Sequence, residues 1–419
     1  MRRISVTGLA GCAAGCAALA MIGAPSRLQA DQSSFSQIQH GKELVAAGDC
    51  EGCHTREGGP IFGGGRPLKT PFGTIYTPNI TPDAETGIGS WTDDQFYRAM
   101  HEGIAADGSY LYPAFPYPWF TKATRADVEA IHAYLKTVPV IRYRGPPNTL
   151  PWPLDVRESM RGWNALYFKS GTYVPDPKHD AVWNRGAYLV LGLGHCGACH
   201  TPTNTLGAAE ADRHLQGGVL SDWYAPSLVG DERDGLADWK EQDIVSFLKT
   251  GGTPNAAAFG PMSEVVHYST SAMSDDDLKT IAVYLKSLPA TKDHETPNRP
   301  AAGVAEAGQA IYVDTCSACH GEHGQGVPAM FPPLKGSAIV QGADPTTVVR
   351  LILNGGHAVA TDQRPTGVSM PSFGWKLSDK QVANVASYVR SGWGNQASPV
   401  STSDVESVRK VVKDATSDD

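Results

Sequence analysis

Three stretches of the chain repeat one rhythm of apolar and polar positions. Asp127, Val128, Ile131, Tyr134, Leu135 and Pro139 recur position for position as Asp277, Leu278, Ile281, Tyr284, Leu285 and Pro289. Val382, Val385, Tyr388 and Val389 keep the spacing a third time. Apolar residues three and four apart share one helix face, so each stretch predicts an amphipathic helix with a stripe toward a core. Upstream of each lies a shorter helical segment that opens on glycine: Gly41-Lys42-Glu43-Leu44, Gly186-Ala187-Tyr188-Leu189 and Gly308-Gln309-Ala310-Ile311. The stretches between are rich in Gly and Pro and predict loops. A unit met three times predicts an all-α chain of three tandem domains, over residues 35–142, 180–292 and 303–396.

Residues 143–179 form a connector carrying Pro146, Pro147, Pro151, Trp152, Pro153, Trp163, Tyr167 and Phe168. A connector this long and this aromatic predicts packing on a neighbour. The tail, 397–419, reads equally as a short helix or a partner contact. At the other end, residues 1–30 read as an export signal: Arg2 and Arg3, a small-residue apolar stretch from Ile4 to Ala24, and a cleavage site after Ala30. Interruptions by Gly, Thr, Ser and Cys disfavour a retained anchor. Leu9-Ala10-Gly11-Cys12 looks like a lipoprotein box, but the apolar run before it is short. No later stretch approaches the ~20 apolar residues that span a bilayer, so the exported chain should be soluble or peripherally held.

Composition adds one exclusion. The formal charge of −8 becomes more acidic once Arg2, Arg3 and Arg27 leave, which makes a poor nucleic-acid binder.

Cysteine usage changes the picture most. Of eight cysteines, Cys12 and Cys16 leave with the leader, and the other six all belong to Cys-x-x-Cys-His: Cys50-Glu51-Gly52-Cys53-His54, Cys196-Gly197-Ala198-Cys199-His200 and Cys316-Ser317-Ala318-Cys319-His320. On a helical turn, Cys at i and i+3 share a face with His at i+4 beside them. The two thiols can add to the two vinyl groups of one porphyrin, while the His reaches the iron from the proximal side. Zinc would need further ligands at each site, and no spare cysteine exists. A redox dithiol would need a βαβ setting, which the pattern lacks. Three covalently bound haems c are expected, one for each domain.

An electron-transfer haem usually carries a thioether opposite the His, because soft sulfur favours ferrous iron. Met370, eight residues before Ser378, is the candidate in the third domain, and Met262 in Phe259-Gly260-Pro261-Met262 in the second. Met273 reads as an apolar staple for the closing helix. Met330 could compete with Met370, although it falls in the proximal loop. Domain one breaks the pattern, because alignment of Ala114-Phe115-Pro116 with the Met370-Pro371 stretch puts Phe115 in the ligand's place. Met100 and the adjacent His101, on the preceding helix, are its candidates, and a five-coordinate iron is the alternative. Gly63-Gly64-Gly65 reads as a loop, and His214, His323 and His357 as surface histidines.

The chain resembles the triheme cytochrome c subunits of bacterial membrane-bound periplasmic dehydrogenases. The resemblance rests on the three haem motifs and on Thr77-Pro78-Asn79-Ile80-Thr81-Pro82-Asp83, Leu111-Tyr112-Pro113-Ala114 and Trp183-Asn184-Arg185-Gly186-Ala187-Tyr188-Leu189. It implies three class I cytochrome c domains on the periplasmic side of the inner membrane. It also implies a catalytic partner using pyrroloquinoline quinone, flavin or molybdenum, with ubiquinone as acceptor and no substrate-oxidising site on this chain. Phe115 departs from many alcohol dehydrogenase subunits, and Ala114-Phe115-Pro116-Tyr117-Pro118 is similar to cytochromes that accompany molybdenum hydroxylases such as aldehyde dehydrogenases. Two rivals stand beside this reading. One is a self-contained multihaem enzyme or sensor with an open first haem, and the other is a carrier without a catalytic partner.

Overall fold

The computed structural model describes residues 25–291 and 296–416. Most of the expected export signal, residues 1–24, lies outside the described residues.

Domain one runs through α1 (Pro25–Ala47), α2 (Cys50–His54), the hairpin β1 (Pro67–Thr70) and β2 (Gly73–Tyr76), α3 (Asp93–Glu102), α4 (Tyr117–Phe120) and α5 (Arg125–Leu135). The connector contributes α6 (Ser159–Tyr167). Domain two comprises α7 (Ala181–Leu191), α8 (Gly197–His200), β3 (Gly218–Leu220), β4 (Trp223–Ala225), α9 (Glu241–Thr250), β5 (Gly252–Thr253), β6 (Ala256–Ala257), α10 (Pro261–Tyr268) and α11 (Asp275–Lys286). Domain three comprises α12 (Ala302–Thr315), α13 (Ser317–His320), α14 (Ala338–Gln341), α15 (Thr346–Asn354), β7 (Gly356–His357), β8 (Ser369–Met370), α16 (Asp379–Ser391) and α17 (Thr402–Thr416). Among the described residues the strands make four separate two-stranded antiparallel sheets, with registers such as Leu68↔Ile75 and Val219↔Tyr224.

The closing helices begin where the sequence supplies a cap. The side chains of Thr124, Ser274 and Ser378 accept from the backbone N–H groups of Asp127, Asp277 and Gln381, each satisfying a donor that the first turn leaves orphaned. Each opening helix then crosses its closing helix at the glycine noted above. A Cβ added at Gly41, Gly186 or Gly308 would lie 1.9, 2.0 or 2.2 Å from the carbonyl oxygen of Ala130, Thr280 or Asn384. Glycine is therefore needed for backbone contact at all three crossings.

Each domain has its own apolar core, and domains one and two each push a residue into the other's. Leu193, three residues before the first cysteine of the second Cys-x-x-Cys-His, is fully buried in the core of domain one. Ala47, its counterpart in domain one, is buried in the core of domain two. Tyr188 donates to Asp127 across the same interface, and Arg66 pairs with Glu264. Domain three is tied to domain two by Thr347, whose hydroxyl accepts from Tyr224 N (2.7 Å) and donates to Tyr224 O (3.0 Å).

The connector packs along domain one. Tyr112 donates to the Leu154 carbonyl, Arg157 to the Tyr110 carbonyl, and Tyr117 to Asn164 of α6. The tail forms α17, whose Val405, Val408 and Val412 complete the core of domain three. Arg390 is buried beneath it and donates to the carbonyls of Ser398, Val340 and Gly342, so no buried donor there goes unmet.

Three candidate haem sites

Each Cys-x-x-Cys-His sits on a single short helical turn that follows an opening helix. Backbone bonds from Gly64, Gly217 and Gly326 to the carbonyls of His54, His200 and His320 fold the next loop back over the turn. Those glycines have φ of 73°, 84° and 64°, the left-handed region that favours glycine.

The same device orients all three histidines. Nδ1 of His54 lies 2.8 Å from the Pro78 carbonyl, that of His200 2.7 Å from Pro226, and that of His320 3.1 Å from Pro332. A carbonyl only accepts, so Nδ1 must carry the proton and Nε2 keeps its lone pair for a metal. Burial lowers all three imidazole pKa values below the usual range, partly offset by the proline carbonyl, and favours the neutral ring that ligates iron. The sequence reading missed these prolines. The signal was present as Pro78-Asn79-Ile80, Pro226-Ser227-Leu228 and Pro332-Pro333-Leu334, one proline ahead of an apolar residue after each motif.

All six thiols are unpaired, and burial keeps five of them, Cys50, Cys53, Cys196, Cys199 and Cys316, as neutral groups. Burial pushes Cys53 and Cys196 up to about 12 and Cys199 and Cys316 up to about 11, and Cys50 is raised as well. A zinc site needs thiolates, and among the described residues no three His, Cys, Asp or Glu converge to hold a bare ion. Neutral thiols beside an imidazole with a fixed tautomer fit a haem joined by thioethers and ligated through histidine. That group, when bound, supplies the reversible one-electron chemistry.

The distal candidates sit in different settings. Met370 is half-buried on β8, paired with Gly356 of β7. Met262 packs with Phe247, Ala258, Val266 and Val359, a small cluster that bridges domains two and three. Met330 is largely exposed, whereas Met273 is buried in the core of domain two just before the Ser274 cap. In domain one, Met100 is buried in the apolar cluster that Phe115 also joins. His101 stacks on Tyr97 and places Nδ1 3.5 Å from the Thr121 hydroxyl.

One expectation is corrected. His214 is not a surface histidine: its ring stacks on Trp119 of domain one, and its Nε2 is buried without a partner. Its signal was absent from the sequence because its neighbour lies in another domain.

The first two sites are coupled through their attachment turns. Trp119 presses on Gly197, where an added Cβ would sit 2.3 Å from the indole, and Phe120 stacks on His195. Cys53 feels Cys199 electrostatically, and Asp49 acts on both. Asp49 is itself pushed up to about 7, chiefly by burial, with Arg66 opposing.

Comparison with known proteins agrees with this geometry. A family model for cytochrome c matches residues 38–139 and 305–393. The chain is 40% identical to the gluconate 2-dehydrogenase cytochrome c subunit of Pantoea cypripedii, covering 91% of each chain. It is 39% identical to the alcohol dehydrogenase (quinone) cytochrome c subunit of Gluconobacter oxydans, over 91% of this chain and 84% of the other. It is 36% identical to the fructose dehydrogenase cytochrome subunit of Gluconobacter japonicus, over 89% and 82%. With its helical cytochrome c domains and cysteine-bound haem c, the chain belongs to the family of cytochrome c subunits of dehydrogenases.

Proposed function

We propose that the chain carries three haems c and passes electrons from a catalytic dehydrogenase subunit to ubiquinone at the periplasmic face of the inner membrane. The observation that carries this reading is the threefold repetition of a Cys-x-x-Cys-His turn whose histidine Nδ1 donates to a proline carbonyl. The proposed ligands are His54, His200 and His320 on the proximal side, with Met262 and Met370 opposite the second and third. Met100 is the proposed distal ligand of the first. The six cysteines hold the porphyrins, and the proline carbonyls keep each imidazole aimed. Packing around the first two turns excludes water and raises the potential there.

Relatives named for alcohol, gluconate and fructose dehydrogenases support a catalytic partner that oxidises alcohols or sugars; the proposal extends to aldehydes and to a molybdenum, pyrroloquinoline quinone or flavin cofactor on the resemblance alone. The word quinone in one relative's name supports the acceptor. Domains one and two bury their attachment turns against each other, which leaves that of domain three to meet the partner.

Pyridine haemochrome analysis should give three haems per chain. Substrate added to the complex should reduce all of them, and quinone should reoxidise them. Fewer haems, or haems that the substrate fails to reduce, would overturn the reading. A second reading, an open first haem, rests on Phe115 and predicts carbon monoxide binding to the reduced native protein.

A further inference from the structure

An apolar edge runs across the connector and the tips of two hairpins. On α6, Leu166 is 73% exposed and Tyr167 is exposed beside it, with Trp163 on the same side of the helix. Trp163 donates through Nε1 to the carbonyl of Leu206, another exposed aliphatic residue in the loop of domain two. The adjoining Gly207 faces Phe72 in the β1–β2 turn. The β3–β4 turn, with exposed Leu220, leans on the same hairpin through the bond from Ser221 to the Lys69 carbonyl. Four segments distant in sequence thus place their apolar side chains along one edge.

The charge around this edge names its occupant. The whole chain is acidic, at −8, yet the connector has five basic residues against three acidic. Exposed Arg161 on α6 and Lys169, two residues past its end, bracket Leu166 and Tyr167 in the chain, with exposed Glu158 at the helix start and Asp222 at the β3–β4 tip as the acidic neighbours. Trp, Tyr and Leu ringed by Arg and Lys are the side chains that settle at a bilayer interface, where the aromatic ring sits among headgroups and the cation meets anionic lipid. A protein surface would want shape and hydrogen-bond complementarity, but this edge is built of turn tips and one short helix. No helix among the described residues is long and apolar enough to cross a membrane.

We infer that this edge, centred on Leu166 and Tyr167, is a peripheral docking surface for an anionic phospholipid bilayer. The inference rests on the reading of the chain as a quinone-linked subunit and adds where the chain meets the lipid that holds the quinone.

Sedimentation of the haem-bearing protein with vesicles of phosphatidylglycerol and phosphatidylethanolamine tests this. The wild type should co-sediment. The double variant Leu166→Glu with Tyr167→Glu should partition at least about tenfold more weakly, with its haem absorption unchanged. Arg161→Glu with Lys169→Glu, which leaves the apolar side chains in place, should weaken binding to these vesicles and not to uncharged ones. Val313→Glu, on domain three, should bind like the wild type. A wild type that ignores the vesicles, or a double variant that binds them unchanged, overturns the inference. So does a lipid-free dimer that the double variant loses, which would assign the edge to a second copy. Vesicle binding requires neither substrate nor partner. A chain that docks on lipid but is not reduced by a dehydrogenase would therefore sink the functional reading and leave the docking surface standing.

Discussion

Three residues before the first cysteine of each Cys-x-x-Cys-His, the domains carry Ala47, Leu193 and Val313. The first two are buried in each other's domains, whereas Val313 is 62% exposed. The segment before the closing helix differs in the same way: Trp119 of domain one is wedged against Gly197, whereas Trp375 of domain three is 83% exposed. The fold around these positions is shared, down to the glycine crossing and the proline carbonyl on histidine. What separates the domains is therefore company and not architecture. Two attachment faces are spent on each other, and the third, with an apolar residue in the same place, is open.

The largest test of this contrast is Leu193→Glu, which leaves an unpaired carboxylate in the core of domain one and should cost about 4 kcal/mol. Denaturant unfolding followed at the haem bands should show it, and a loss under 1 kcal/mol would break the account of the interface. Next comes pH. Asp49, buried in the paired region, has a folded pKa of about 7 against an ordinary 3.8. The folded state therefore holds its proton longer than the unfolded chain, and stability falls as pH rises from about 4 to about 7. The change should be on the order of 2–4 kcal/mol, and Asp49→Asn should flatten it. Parallel denaturation curves at pH 5 and pH 7.5 would measure the difference.

Smaller effects sharpen the comparison from the other side. Gly186→Ala and Gly308→Ala should each cost about 2 kcal/mol, because both crossings bring backbone to backbone. Equal losses by calorimetry would establish that paired and unpaired domains share one internal construction. Val313→Glu should change stability by less than about 0.5 kcal/mol, since the side chain meets solvent. Its effect should appear instead in the rate at which the catalytic partner reduces the haems.

Much of the fold was legible along the chain. The Val128, Leu278 and Val382 stripes and their Thr124, Ser274 and Ser378 caps are local patterns, set by helix geometry alone. The Cys-x-x-Cys-His turns were equally plain, because five neighbouring residues carry the whole motif. The prolines behind the histidines were visible but unread, since Pro78, Pro226 and Pro332 follow at 24, 26 and 12 residues and no fixed spacing marks them. His214 was misjudged for a firmer reason: its burial depends on Trp119, 95 residues away. The tail was ambiguous until Val405, Val408 and Val412 met the core of domain three.

By itself the sequence determined the three repeats, their helices, and the gathering of six cysteines and three histidines into Cys-x-x-Cys-His turns. All of these follow from residue type and spacing within a few turns of chain. Only the tertiary structure decided which attachment faces meet, that Ala47 and Leu193 are exchanged while Val313 is not, and that connector and hairpin tips share one apolar edge. These are packing outcomes between segments far apart in the chain. Burial there is a property of the partner surface, and a residue's own neighbours in sequence do not encode it.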